Sequence, residues 1–102
     1  MDTTPVKRVT IIAAQSLQET LISEIRSLGA NGYTYVVVQG AGTSGVRPNE
    51  WSGPNGRLEV ITTAEVADRI LEHVAARYFD HYPLIAYVDE VHVMRPEKYG
   101  VV

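Results

Sequence analysis

Apolar positions along this chain switch between the spacing of strands and the spacing of helices. β-Branched residues dominate Val6–Ala13, which predicts a first strand, and apolar residues then recur at helical spacing until Gly29 provides a stop. Strand composition returns from Tyr33 to Gln39 and again from Arg57 to Thr62. These two segments flank a long polar stretch, so we expect them to pair as an antiparallel hairpin with an extended tip.

Two capping motifs mark where the helices should begin. Ser16 and Glu19 have the spacing of a capping box, which predicts the start of the first helix, and Thr62 and Glu65 repeat that spacing before the second. The second helix presents one apolar stripe, formed by Val66, Ala67, Ile70, Leu71, Val74 and Tyr78.

The last part of the chain completes a known order of elements. Strand composition resumes over 84–94, and residues 96–102 are predicted to be a C-terminal tail. The resulting order βαββαβ is the ferredoxin-like α+β plan, with a four-stranded antiparallel sheet and both helices on one face. We expect residues 1–102 to form a single domain.

The other face of this sheet would be bare in a monomer. The second strand is apolar on both sides, because Tyr33, Tyr35 and Val37 alternate with Val36 and Val38. Association through the open face would cover these side chains, so we expect a homo-oligomer, and specifically a homotrimer with its sheets turned inward. Long loops or tails folded over the face are the alternative.

Composition and charge narrow the class of protein. The 102 residues are 45% hydrophobic and 21% charged, which is typical of a globular protein, and no apolar run reaches membrane-spanning length. The net charge of −3, without a basic cluster, argues against nucleic acid as a partner. The chain has no cysteine and no signal-peptide pattern, so the cytoplasm is the expected compartment and a thiolate metal site is excluded.

A glycine-rich loop over 40–56 carries the clearest candidate chemistry. Gly40, Gly42 and Gly45 match the G-x-G-x-x-G dinucleotide fingerprint, but Pro48 follows where a helix would have to start, so we reject a Rossmann site. Glycine amides can still converge on an anion, and Arg47 adds a planar cation. A phosphate-binding loop and a merely flexible tip both remain open.

Sites for catalysis or for a metal ion are not evident. The three histidines lack metal-ligand spacing, and adjacent Asp89 and Glu90 should point to opposite faces of a strand. No serine or threonine has an evident base and orienting partner. A small ferredoxin-like hydrolase of phosphate esters or acyl phosphates therefore stands as the alternative to a binding protein, and a structural trimer of the metal-tolerance type is a weaker one.

Several segments carry a family resemblance. Gly29-Ala30-Asn31-Gly32-Tyr33-Thr34-Tyr35-Val36-Val37-Val38-Gln39-Gly40-Ala41-Gly42 is similar to the second strand and loop base of PII signalling proteins. Residues 57–60 resemble their returning strand. Residues 67–79 with Tyr82 resemble the second helix of PII-like proteins tied to bicarbonate transport and carboxysomes.

The resemblance implies a regulatory trimer rather than an enzyme. Clefts between subunits would bind ADP or AMP, with cyclic AMP or ATP as further candidates and bicarbonate beside them, and no other cofactor. A mobile T-loop over 41–56 would signal occupancy to a target such as a bicarbonate transporter or a carboxysome-related protein. The loop lacks the modifiable tyrosine, and Asp80–Ile85 replaces the glycine-lysine loop, so uridylylation, tight ATP binding and 2-oxoglutarate sensing are not expected.

Site residues follow from the resemblance position by position. It places Thr34, Glu59 and Val60 at the adenine, and Tyr87 in a strand near the base, where a plain core or interface role is the alternative. The remaining predicted nucleotide-binding residues are Gly40, Gly42, Thr43, Ser44, Val46, Arg47, Arg57 and Arg95. Arg47 and Ser44 are the candidates for bicarbonate. Trp51, a large aromatic residue in a polar loop, is the candidate target-docking anchor or else folds back onto the trimer.

Overall fold

A computed structural model describes residues 2–39 and 54–102 of the chain. Within them, four strands and two α-helices follow one another in the order βαββαβ that the sequence predicts. Their bounds are β1 Thr4–Ala14, α1 Gln18–Ser27, β2 Thr34–Val38, β3 Asn55–Thr62, α2 Ala64–Tyr78 and β4 Ile85–Val93. Short 3₁₀ helices at Gln15–Leu17 and Pro96–Tyr99 precede α1 and follow β4. None of the helices in these ranges is long and apolar enough to cross a membrane.

The strands form one antiparallel sheet in the order β2-β3-β1-β4. Both helices pack on the same face of this sheet, where Ile11 of β1, Ile25 of α1 and Ile70 of α2 meet in one core cluster and are each at most 1% exposed. The ferredoxin-like α+β fold predicted from the sequence is therefore confirmed.

The helix boundaries differ slightly from the capping motifs. Thr63, not Thr62, caps α2, and its side chain accepts a hydrogen bond from the Val66 backbone N–H at 3.3 Å. Thr62 is still inside β3 and only 2% exposed, so it cannot serve as the cap. The predicted Ser16 cap is also wrong, because the 3₁₀ helix intervenes and Leu17 precedes α1 without a side-chain cap.

The predicted stop at Gly29 is confirmed. Its φ of 118° lies in a region that favours glycine, directly after the α1 C-cap residue Leu28. Arg69 of α2 donates a hydrogen bond to the Leu28 carbonyl at 3.2 Å, which fastens this end of α1 to its neighbour.

A polar cluster joins the two helices further along. The Glu24 carboxylate of α1 lies 3.0 Å from His73 Nε2 and 2.9 Å from Arg77 Nε, and it accepts a hydrogen bond from the Tyr78 hydroxyl. With its side chain only 16% exposed, Glu24 needs these donors to compensate for lost hydration. The cluster fixes the helix layer that supports the sheet.

The face of the sheet opposite the helices exposes large side chains. Val36 of β2 and Ile85 and Tyr87 of β4 all project from it, and they are 37%, 53% and 47% exposed. The bare apolar face predicted from the sequence is thus present in the single chain.

Candidate functional site

An open cleft of about 270 Å³ lies where the start of β2, the middle of β3 and the C-terminal 3₁₀ helix meet. It combines aromatic, apolar, amide and charged side chains, as small-molecule sites commonly do. Its lining residues are Asn31, Gly32, Tyr33, Thr34, Glu59, Ile61, Lys98 and Tyr99.

Strand register sets the polar wall of the cleft. Thr34 of β2 is the direct cross-strand partner of Glu59 of β3, and the row continues through Thr10 of β1 to Tyr87 of β4. Direct partners point to the same face, with Cβ atoms about 4.5–5.5 Å apart. Thr34 and Glu59 therefore present a hydroxyl and a carboxylate side by side.

Arg8, whose charge interacts with that of Glu59, is already paired with another carboxylate. Arg8 makes a bidentate ion pair with Asp89, with Nε–Oδ1 and Nη2–Oδ2 distances of 3.0 and 2.6 Å. Hydrogen bonding to Asp89 raises the pKa of Arg8, and the same bond lowers the pKa of the Asp89 carboxyl. Within the described part of the chain no side chain donates a hydrogen bond to Glu59, so its carboxylate oxygens are available to a ligand.

The outer wall is aromatic. Tyr33 is one of the lining residues and is 44% exposed, and the guanidinium carbon of Arg26 lies 5.8 Å from the centroid of its ring. Arg26 itself is not among the lining residues, so it contacts the ring from outside the cleft.

The C-terminal segment closes the cleft from the other side. Arg95 adopts a left-handed conformation (φ 60°, ψ 61°), a strain of about 1 kcal/mol for a non-glycine residue. The 3₁₀ helix that follows brings Lys98 and Tyr99 to the cleft, and Asn31 Nδ2 donates to the Lys98 carbonyl at 3.5 Å. The predicted tail is therefore partly a structured wall of the site.

The structure brings some of the predicted site residues together and separates others. Thr34 and Glu59 line the cleft, whereas Arg57, Tyr87 and Arg95 are exposed and lie outside its lining. Val60 is fully buried in the core, with its side chain on the helix side of the sheet.

Seven of the predicted residues lie outside the part of the chain that the structure describes. These are Gly40, Gly42, Thr43, Ser44, Val46, Arg47 and Trp51. On either side of this segment, Val38 and Asn55 pair at the end of the β2–β3 ladder opposite to Thr34 and Glu59. The Val38 end of the ladder lies four residues of strand, or about 13 Å, from the Thr34 end.

Sequence reasoning missed six lining residues. Strand alternation could have identified Ile61, since it shares a face with Glu59 whereas Val60 does not. Asn31, Gly32 and Tyr33 directly precede Thr34 and could have been included with it. Lys98 and Tyr99 reach the site only through the reversal at Arg95, which no local pattern indicates.

Other candidate chemistry does not assemble in the described ranges. Asp89 pairs with Arg8 on the open face, while the adjacent Glu90 lies 3.8 Å from Lys7 on the other face, as predicted from their positions. Among residues 2–39 and 54–102, no group of three or more histidine or acidic side chains is placed to hold a metal ion.

Comparison with known proteins yields concordant matches. The family model for nitrogen regulatory protein P-II matches residues 6–98. A PII-like signaling protein from Thermus thermophilus is 48% identical, with 97% of this chain and 99% of that chain covered at a TM-score of 0.83.

More distant structures share the fold. CPII from Thiomonas intermedia, a PII-like protein whose structure holds ADP, AMP and bicarbonate, is 21% identical over 96% of both chains, with a TM-score of 0.83. GlnK of B. subtilis is 16% identical over 86% of both chains, with a TM-score of 0.64.

Proposed function

This chain belongs to the nitrogen regulatory protein P-II family as a PII-like signalling protein, and from that premise we propose that it senses adenine nucleotides. The adenine base occupies the cleft between β2, β3 and the C-terminal 3₁₀ helix. ADP and AMP are the proposed ligands, with ATP and cyclic AMP as further candidates.

The observation that carries the proposal is the Thr34–Glu59 pair. Two of the three residues that the family resemblance places at the adenine are direct cross-strand partners and line the same cleft. A hydroxyl and a carboxylate suit the ring nitrogens and the amino group of an adenine, and Ile61 adds an apolar contact for the ring. CPII, which has the same fold, holds ADP and AMP.

The phosphates require residues from elsewhere. The loop that contains Gly40, Gly42, Thr43, Ser44, Val46 and Arg47 leaves the β2–β3 ladder at the end far from the cleft, about 13 Å away by strand length. We propose that the chain forms a homotrimer through its open face, so that this loop of one protomer meets the phosphates of a nucleotide held by its neighbour. Arg57 and Arg95 are secondary candidates for the phosphates, and Tyr87 belongs to the contact between protomers.

The proposed output is a change in the loop over 41–56. We assign bicarbonate to Arg47 and Ser44 beside the nucleotide, and the presence of bicarbonate in the CPII structure supports it as a ligand. Trp51 then docks on a target protein in inorganic-carbon uptake or fixation, such as a bicarbonate transporter or a carboxysome-related protein. The ligand selects a loop arrangement only through its difference in affinity for the two arrangements.

Calorimetric titration with ADP, AMP, ATP and cyclic AMP, each with and without bicarbonate, tests the function. We expect one adenylate per chain, and nucleotide recovered intact after prolonged incubation. Sustained release of phosphate would favour the hydrolase alternative, and indifference to all four nucleotides would refute the proposal.

The loop assignment has its own test. Arg47→Ala should weaken ADP binding more than adenosine binding, because it removes a planar cation from the phosphate end. Sedimentation should still show the parent oligomer. Unchanged ADP affinity would contradict the role of Arg47 while leaving the family assignment intact.

A further inference from the structure

Tyr33 occupies an unusual position for a large aromatic side chain. It is one of the lining residues of the cleft, it is 44% exposed, and it directly precedes β2. It lies next to Thr34, which forms the polar wall with Glu59. The lining of the cleft thus contains an aromatic residue directly beside the hydroxyl and the carboxylate.

The Tyr33 ring also lies near a cation. Arg26 lies in the last turn of α1, where a positive charge is favourable for the helix dipole, and its guanidinium is 5.8 Å from the ring centroid. This distance is within the range of a cation–π contact.

We propose that Tyr33 stacks on the nucleobase and that Arg26 is a positioning residue which acts through Tyr33. The inference rests on the proposed function, because it requires a base in the cleft. Stacking provides affinity for any aromatic base, while Thr34 and Glu59 choose among bases by hydrogen bonding. Tyr33 therefore contacts the face of the nucleobase, and Thr34 and Glu59 contact its hydrogen-bonding edge.

Four variants separate these roles in titrations with AMP. Tyr33→Leu keeps an apolar side chain but removes the aromatic face, and it should weaken AMP binding at least about fivefold. Tyr33→Phe keeps the ring and should bind AMP within about twofold of the parent. Arg26→Gln should weaken binding about two- to fivefold, and it should have no further effect when Tyr33 is already leucine.

Lys7→Gln is the matched control for charge. It removes one positive charge from the helix side of the sheet, near Glu90, and should leave AMP affinity unchanged. Stacking also has a spectroscopic signature that a structural role would not produce: the Tyr33 ring protons should shift upfield in the NMR spectrum on addition of AMP, because the adenine ring current shields them.

The outcomes distinguish this inference from the proposed function. Parental AMP affinity in Tyr33→Leu, or unchanged Tyr33 ring resonances in an AMP-saturated parent protein, would overturn the stacking role while the nucleotide site stands. An additive effect of Arg26→Gln on Tyr33→Leu would overturn the positioning role. A parent protein that does not bind AMP, ADP, ATP or cyclic AMP would instead refute the proposed function, and this inference with it.

Discussion

Glu59 is the carboxylate of the cleft, and its surroundings leave it ready to accept hydrogen bonds. The Arg8 guanidinium, whose charge interacts with that of Glu59, donates hydrogen bonds to both carboxylate oxygens of Asp89, and the shorter of the two measures 2.6 Å. Cross-strand pairing with Thr34 fixes the position of Glu59 at the wall of the cleft. A ligand that donates a hydrogen bond here gains a charge-assisted contact.

Replacement of Glu59 should therefore affect binding much more than folding. We expect Glu59→Leu to weaken AMP binding at least about tenfold, since a hydrogen bond to a charged group contributes about 1.5–3 kcal/mol. Calorimetry gives the affinity, and thermal unfolding verifies that the variant is folded.

Glu90→Leu is the control for this variant. Glu90 is an exposed carboxylate on the other face of the sheet, 3.8 Å from Lys7, so its removal should change neither AMP affinity nor stability appreciably. Equal loss of affinity in the two variants would mean that the effect of Glu59→Leu does not come from a contact in the cleft.

Tyr78 should titrate unusually late. Burial, and then the hydrogen bond to the Glu24 carboxylate, raise the pKa of Tyr78 from 10.0 to about 12. The folded protein favours the neutral phenol, so this contribution to stability is full below pH 10 and is lost as the pH rises toward about 12. Carbon-13 NMR of ring-labelled tyrosine should show a late resonance that Tyr78→Phe removes, and titration of that resonance near pH 10 would contradict the assignment.

At the scale of the elements, β2 and β3 carry both the cleft and the loop. Their register brings Tyr35 over Gly56, where the buried hydroxyl has no hydrogen-bond partner among the described residues and burial raises its pKa. A Cβ on Gly56 would collide with the Tyr35 hydroxyl and ring. Glycine is thus required for this close packing at the base of the loop.

Gly56→Ala should destabilise the protein by about 1–3 kcal/mol, because the extra methyl group overpacks the site. Tyr35→Val removes the colliding ring, so the double variant should lose less than the sum of the two single losses. Urea unfolding measures each free energy.

Gly32→Ala provides the comparison at another glycine. No atom lies within 4 Å of a Cβ built on Gly32, so we expect stability close to that of the parent. If Gly32→Ala and Gly56→Ala cost the same, backbone flexibility rather than the collision with Tyr35 would explain the losses.

How far the sequence predicts these elements depends on which interactions determine them. Periodicity found every strand and both α-helices because each has one apolar side against the core, as at Ile11 and Ile70. The capping motifs placed the caps of both helices wrongly. At α2, strand β3 continues through Thr62, so Thr63 is the cap.

The cleft was predictable only in part for the same reason. Family resemblance places Thr34, Glu59 and Val60 at the adenine, and the first two line the cleft, whereas alternation along β3 puts Ile61 rather than Val60 in the lining. The contribution of Lys98 depends on a tertiary reversal at Arg95 that has no local signature.

For the whole molecule, the open face of the sheet is the proposed interface of the trimer. The exposed side chains of Val36, Ile85 and Tyr87 would be covered there, and burial of apolar area of this kind drives most protein association. The same proposed trimer would bring the loop of one protomer to the cleft of another.

A charge on this face should therefore separate the protomers. Ile85→Asp should shift the sedimenting mass from three chains to one chain of 11.3 kDa and weaken ADP binding together with it. Phe79→Asp is the matched control, since Phe79 is 52% exposed at the end of α2 on the helix side. Dissociation by Phe79→Asp but not by Ile85→Asp would place the interface on the helices instead.

The crystal structure of the protein grown with saturating ADP tests the central claim most directly. We predict an adenine base within hydrogen-bond distance of Thr34 and Glu59 and against the ring of Tyr33, with the phosphates directed toward a neighbouring protomer. Nucleotide bound at another place, or a vacant cleft under those conditions, would contradict the account.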